Sequence, residues 1–186
     1  MRELIVTEFI TLDGVIEAPG GEPTHPHTGW TIDFAGPEQF QYKLDEVRDA
    51  DALLLGRVTY EGFAKAWPPR DGPFADKMNA MPKYVASTTL TELGWNNSTL
   101  LEGDVPAAVA KLKLDDGGPI LVAGSATLAH TLIEHELVDE FRLMVFPVVL
   151  GSGKRLFPDS PHKRTLRLVE TTQFPSGVVV QHYRTG

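Results

Sequence analysis

The chain has 186 residues, no cysteine and a formal net charge of -8, a length that suits one domain whose core folds without staples. The absence of cysteine removes disulfides, thiolate metal sites and cysteine nucleophiles together. An acidic balance without a basic block argues against a nucleic-acid footprint, so an anionic ligand would need helix ends and a few placed cations.

In chain order, ELIVTEFI at 3–10 reads as a first strand, followed by the turn Thr11-Leu12-Asp13-Gly14. Glu3, Thr7, Glu8 and Thr11 break its apolar run, which therefore matches neither a signal peptide nor a membrane span and points to a cytoplasmic protein. A glycine-, proline- and histidine-rich stretch from Ala18 to Gly36 has the length of a lid or binding loop. A first helix is expected over 37–48, with Phe40, Leu44 and Val47 on one face and Pro37 in its opening turn. Ala52 to Leu55 then suits a central strand. It ends at Gly56-Arg57-Val58-Thr59, where a second helix begins that Pro68-Pro69 must stop.

Lys83 to Ala86 is the next strand and runs into the hydroxyl-rich Ser87-Thr88-Thr89. A short strand at 98–101 precedes a helix at 105–114, for which Asp104 is the cap. The stretch 119–137 combines a buried strand, the turn Ala123-Gly124-Ser125, and a helix with Leu128, Leu132, Ile133 and Leu137 at helical spacing. A long strand over 139–150 and a closing pair at 165–174 and 178–183, joined through Pro175-Ser176-Gly177, complete the chain. Strand alternating with helix implies an α/β fold with a mostly parallel sheet and an antiparallel hairpin at one edge, in one domain over 1–186. The helix-opening turns after Leu55 and Val122 leave backbone N–H groups unpaired at the sheet edge, where a phosphate fits.

The ordered set Leu12-Asp13-Gly14, Leu54 to Glu61, Met81 to Val85, Ala123-Gly124-Ser125 and Leu150 to Phe157 resembles the dihydrofolate reductase-like superfamily. Within it, the chain is most similar to the reductase domain of the bacterial bifunctional riboflavin deaminase-reductase. That resemblance implies about eight strands with helices on both faces, a homodimer, NADPH as cofactor, and reduction of a small heterocycle such as 5-amino-6-(5-phosphoribosylamino)uracil. Dihydrofolate or pterin reduction, and a non-catalytic nucleotide-binding module, are the alternatives. The zinc deaminase half of the bifunctional enzyme uses cysteine ligands, which this chain lacks.

The matching positions carry the expected site. Gly56, Arg57, Val58 and Thr59 would serve one side of the pyrophosphate, and Ala123, Gly124, Ser125, Ala126, Thr127 and Leu128 the other. Arg57, Ser87 and Thr88 would meet the 2'-phosphate, and the backbone of Phe9 and Ile16 the nicotinamide carboxamide. Asp33 is the expected proton donor, with Glu38 second. Asp13, Trp30 and Lys154 are candidate substrate contacts, although an aspartate in such a turn commonly bonds the turn's own backbone. Met81-Pro82 stands where folate enzymes carry an arginine for the glutamate tail, leaving Lys83 as a weak substitute. His25 and His27 share a loop without a third ligand, so no metal is expected.

Overall fold

Short apolar runs alternating with amphipathic segments give eight strands and five α-helices over residues 1–186 of the computed structural model. In order they are β1 (Leu4–Thr11), α1 (Pro37–Asp49), β2 (Ala52–Gly56), α2 (Arg57–Ala66), α3 (Pro73–Ala80), β3 (Lys83–Ala86), β4 (Ser98–Leu100), α4 (Val105–Leu114), β5 (Ile120–Ala123), α5 (Ala126–Glu134), β6 (Glu140–Phe146), β7 (Leu166–Gln173) and β8 (Val179–Thr185). The strands form one sheet in the order β4-β3-β2-β5-β1-β6-β8-β7. β1 to β6 are mutually parallel, whereas β8 runs antiparallel to both β6 and β7. The fold is therefore the expected mostly parallel sheet closed by an antiparallel hairpin.

Strand alternation divides the apolar residues between two faces. Leu4, Val6 and Ile10 of β1 pack with Val109 and Leu112 of α4 and Leu128 and Leu132 of α5. Ile5 and its neighbours Leu53, Leu55 and Val85 pack instead with Val47 of α1, Tyr60 of α2 and Met78 of α3. Because both faces are covered, β2 and β5 are apolar throughout, with Leu53, Leu54, Leu121 and Val122 almost wholly buried.

The structure departs from the sequence reading at two elements. α3 was not expected; Pro73 occupies its first turn, and Phe74 stacks on Trp67 at 4.9 Å, so tertiary contact stabilises a helix too short to stand alone. β6 stops at Phe146 instead of continuing to Leu150. Pro147 has no N–H for the ladder, and the Val148 carbonyl turns to accept from Leu12 N at 2.9 Å.

Candidate functional site

Because β2 and β5 are parallel neighbours, their glycine turns emerge side by side at the carboxyl edge of the sheet. The Gly56 N–H donates to Ser125 Oγ at 2.9 Å. A Cβ on Gly124 would meet Thr59 Oγ1 at 3.1 Å, and one on Gly56 would meet Ser125 Cβ at 3.3 Å. Gly124 and Ser125 both adopt left-handed backbone, at φ 61° and 63°, a conformation that costs a non-glycine residue about 1–2 kcal/mol. That kink turns Ser125 Oγ toward Gly56, leaving α5 without a side-chain cap, and the N-cap of α2 is Gly56 itself, which has no side chain to offer. By contrast α4, which follows the outermost strand β4, is capped, Asp104 accepting from Ala107 N at 3.0 Å. The opening N–H groups of α2, at Arg57, Val58 and Thr59, and of α5, at Ala126, Thr127 and Leu128, lack intrahelical partners, and the two helices start from neighbouring strands on opposite faces of the sheet, an arrangement that defines the candidate crevice. The Leu128 side chain belongs to the core, so only its backbone can serve a ligand.

β1 borders the same crevice. Ile120 N donates to Glu3 O and Asp139 N to Leu4 O, so odd-numbered residues of β1 present their backbone to β5 and even-numbered ones to β6. β5 ends at Ala123, in register with Thr7. The alternation therefore carries the N–H and C=O of Phe9 past the end of β5, which leaves them without a partner on that strand. Ile16 is buried and its N–H is taken by Lys154 O at 2.9 Å.

Of the three residues expected to meet substrate, Asp13 and Trp30 have side chains with structural duties, and Lys154 does not. Asp13 accepts from Thr11 Oγ1 at 2.6 Å, from Leu150 N at 3.2 Å and from Gly151 N at 2.7 Å. The Thr11 hydroxyl, followed by these backbone donors, holds its pKa below the usual carboxylate range. The aspartate thus bonds a distant glycine loop more than its own turn, and ties that loop to the exit of β1. Trp30 is buried, its indole N–H donating to Glu17 O at 2.8 Å while its ring packs edge-on against Phe146. Lys154 holds this frame through its backbone, its N–H donating to Glu17 Oε2 at 2.9 Å, while its ammonium is exposed without a protein partner.

Asp33 lies exposed in a single 3-10 turn, Ile32–Phe34. Arg57 is exposed and pairs with Glu61 at 3.0 Å, a helix-surface pair worth little. Ser87 Oγ accepts from Thr89 N and Leu90 N, forming a local turn whose hydroxyl proton remains available. Lys83 cannot reach a ligand: it is fully buried, and its ammonium donates to the carbonyls of Asn79, Met81 and Asn96 beside the Trp95 ring. His25 accepts from His27 N at Nδ1 and so donates from Nε2 to Ser152 O, clasping the long loop to the glycine loop. No grouping of three or more acidic or histidine side chains could hold a metal ion.

One residue at the crevice was not anticipated. Glu8 is buried, its Oε1 has no hydrogen-bond partner, and its pKa is pushed up to about 8, chiefly by burial. The Lys43 ammonium and the Gly124 N–H oppose that shift, while Glu46 adds to it. The sequence did carry a signal: in the alternation Leu4, Val6, Glu8, Ile10 an acid stands on an otherwise apolar face. Across the sheet, Thr7 Oγ1 donates to Glu46 and receives the Lys43 ammonium at 2.7 Å. A polar cleft of about 510 Å³ lies on the α1 side of β7 and β8, is lined by Tyr42, Glu140, Arg142 and His182, and shares only Glu46 with the groups around Glu8.

The model of the RibD C-terminal domain matches residues 2–180. The chain belongs to this family. Among its relatives, the uncharacterised Bacillus subtilis protein YyaP is 34% identical over 96% of this chain and 92% of its own. The uncharacterised YwjB of the same organism is 31% identical over 98% of each. A solved structure of a putative riboflavin biosynthesis protein from Shewanella sp. PV-4 covers 100% of the chain and 99% of its own, with TM-score 0.75 at 20% identity. A pyrimidine reductase-like protein from Corynebacterium diphtheriae covers 100% and 92%, with TM-score 0.65 at 12% identity. At these identities the solved structures establish the RibD reductase-like fold. No helix of the chain is long and apolar enough to cross a membrane.

Proposed function

We propose that the protein is an NADPH-dependent reductase of a small heterocycle, most like 5-amino-6-(5-phosphoribosylamino)uracil reductase. The observation that carries this reading is the pair of uncapped helix N-termini, locked together by the Gly56–Ser125 hydrogen bond at the end of a parallel sheet. Such an edge favours a pyrophosphate, because unpaired N–H groups and two helix dipoles converge on it. Membership of the RibD C-terminal domain family and the name of one structural relative, a pyrimidine reductase-like protein, support a reductase acting on a pyrimidine.

Within this reading, Arg57 leaves its weak pair with Glu61 for the 2'-phosphate, and the Ser87 hydroxyl donates to the same group. The Phe9 backbone orients the nicotinamide, which when bound supplies hydride. The Lys154 ammonium is free for a substrate phosphate, while Asp13 and Trp30 hold the loops around it. The burial of Lys83 removes the cation considered for a folate tail, which favours a pyrimidine over dihydrofolate. The exposure of Asp33 favours a second reading, a non-catalytic nucleotide-binding module, if no other acid serves the crevice.

The test is a titration of the purified protein with NADPH and NADH, followed by nicotinamide fluorescence and thermal stability. Binding that prefers NADPH, and a weaker preference in Arg57→Ala, is expected. No binding of either nucleotide would sink both readings.

A further inference from the structure

We propose that Glu8 is the proton donor of this site, its carboxyl O–H serving the substrate atom next to the carbon that receives hydride. The inference rests on the reductase reading and deepens it. Glu8 follows Thr7, the last residue of β1 in register with β5, and precedes Phe9, whose backbone opens into the crevice. The Gly124 N–H, just past the end of β5, acts on its carboxyl. So do Lys43 and Glu46 of α1, which approach from the opposite face of the sheet. Glu8 therefore stands where β5 stops, one residue past Thr7, the last to pair with it.

The unpartnered Oε1 is the second observation. Buried polar atoms are nearly always paired, and exceptions commonly mark a functional group. Burial also holds the group protonated at neutral pH, the state a general acid needs. The charged neighbours are accounted for: Thr7 and Lys43 engage Glu46, with Arg142 beyond it, leaving the Glu8 carboxyl unneutralised by any ion pair.

The step balances. The carbon of a C=N or C=O bond accepts hydride from the reduced nicotinamide, which is oxidised. Its nitrogen or oxygen takes the Glu8 proton. The resulting carboxylate regains a proton from water after product leaves, because its buried site favours the neutral form.

Glu8→Gln keeps the shape and neutrality of the group but cannot deliver a proton, and Glu8→Asp keeps the acid at shorter reach. The experiment combines NADPH affinity, NADPH oxidation with 5-amino-6-(5-phosphoribosylamino)uracil as probe, and the infrared carboxyl band of wild type minus Glu8→Gln. The expected result is unchanged NADPH affinity, a rate loss of about 100- to 10,000-fold in Glu8→Gln, and partial rescue in Glu8→Asp. The wild-type rate falls as pH rises through about 8, and the Glu8 band shifts when NADPH and the pyrimidine bind. A Glu8→Gln rate equal to wild type overturns the proposal and returns the role to Asp33. A Glu8 band that does not respond to NADPH with the pyrimidine overturns it as well, whether or not the probe turns over. Loss of NADPH binding in the wild type would instead defeat the reductase reading itself.

Discussion

Glu8 and Lys83 are both buried titratable groups without an ion pair, and they impose opposite pH trends. Burial raises the folded-state pKa of Glu8 from 4.5 to about 8, so the native protein holds a proton that the unfolded chain releases in that window. Stability is therefore lost as pH rises from about 4.5 to about 8. Glu8→Gln is expected to flatten that slope and to melt above the wild type at the alkaline end, as measured by thermal denaturation across the range. For Lys83 burial lowers the pKa to about 8 from 10.5, so the unfolded chain binds the extra proton and stability rises between those values. Its three carbonyl acceptors and the Trp95 ring hold the ammonium in place. Lys83→Met strands those acceptors and is expected to cost on the order of 3 kcal/mol in urea unfolding.

At the scale of elements, two helix starts have opposite uses. Asp104 caps α4, so Asp104→Ala should lower stability by about 1 kcal/mol and leave NADPH affinity unchanged. The start of α5 is uncapped, and its turn depends on left-handed backbone. Gly124→Ala adds a Cβ at φ 61° that meets Thr59 Oγ1 at 3.1 Å. The backbone term alone is about 1–2 kcal/mol, and moving Thr59 disturbs the neighbouring opening turn of α2. Reduced stability together with weakened NADPH binding is the expected outcome, read by denaturation and fluorescence titration. Retained affinity would separate the two junctions from the cofactor.

For the whole molecule, β7 is the longer of the two sheet edges, and Leu168 and Val169 on it are 51% and 50% exposed. Long exposed edges invite pairing with another chain. The homodimer implied by the family resemblance is expected to use this edge. Light scattering should then give a dimer mass that Val169→Lys reduces; a monomeric wild type would end that expectation.

The alternation of strands and helices, the two glycine junctions and the closing hairpin were legible in the chain, because periodicity and turn residues are local properties. Residues 52–56 and 120–124 needed no partner to be read as strand ends. The sheet order, by contrast, follows from non-local pairing. Only that order brings Gly56 beside Ser125, and only packing turned Asp13, Trp30 and Lys83 from ligand candidates into internal ties. Glu8 shows the same division. Its place on an apolar face was written in the sequence, but its burial and shifted proton affinity arise from the elements packed around it. Side-chain identity is local, whereas desolvation and charge interaction depend on neighbours distant along the chain.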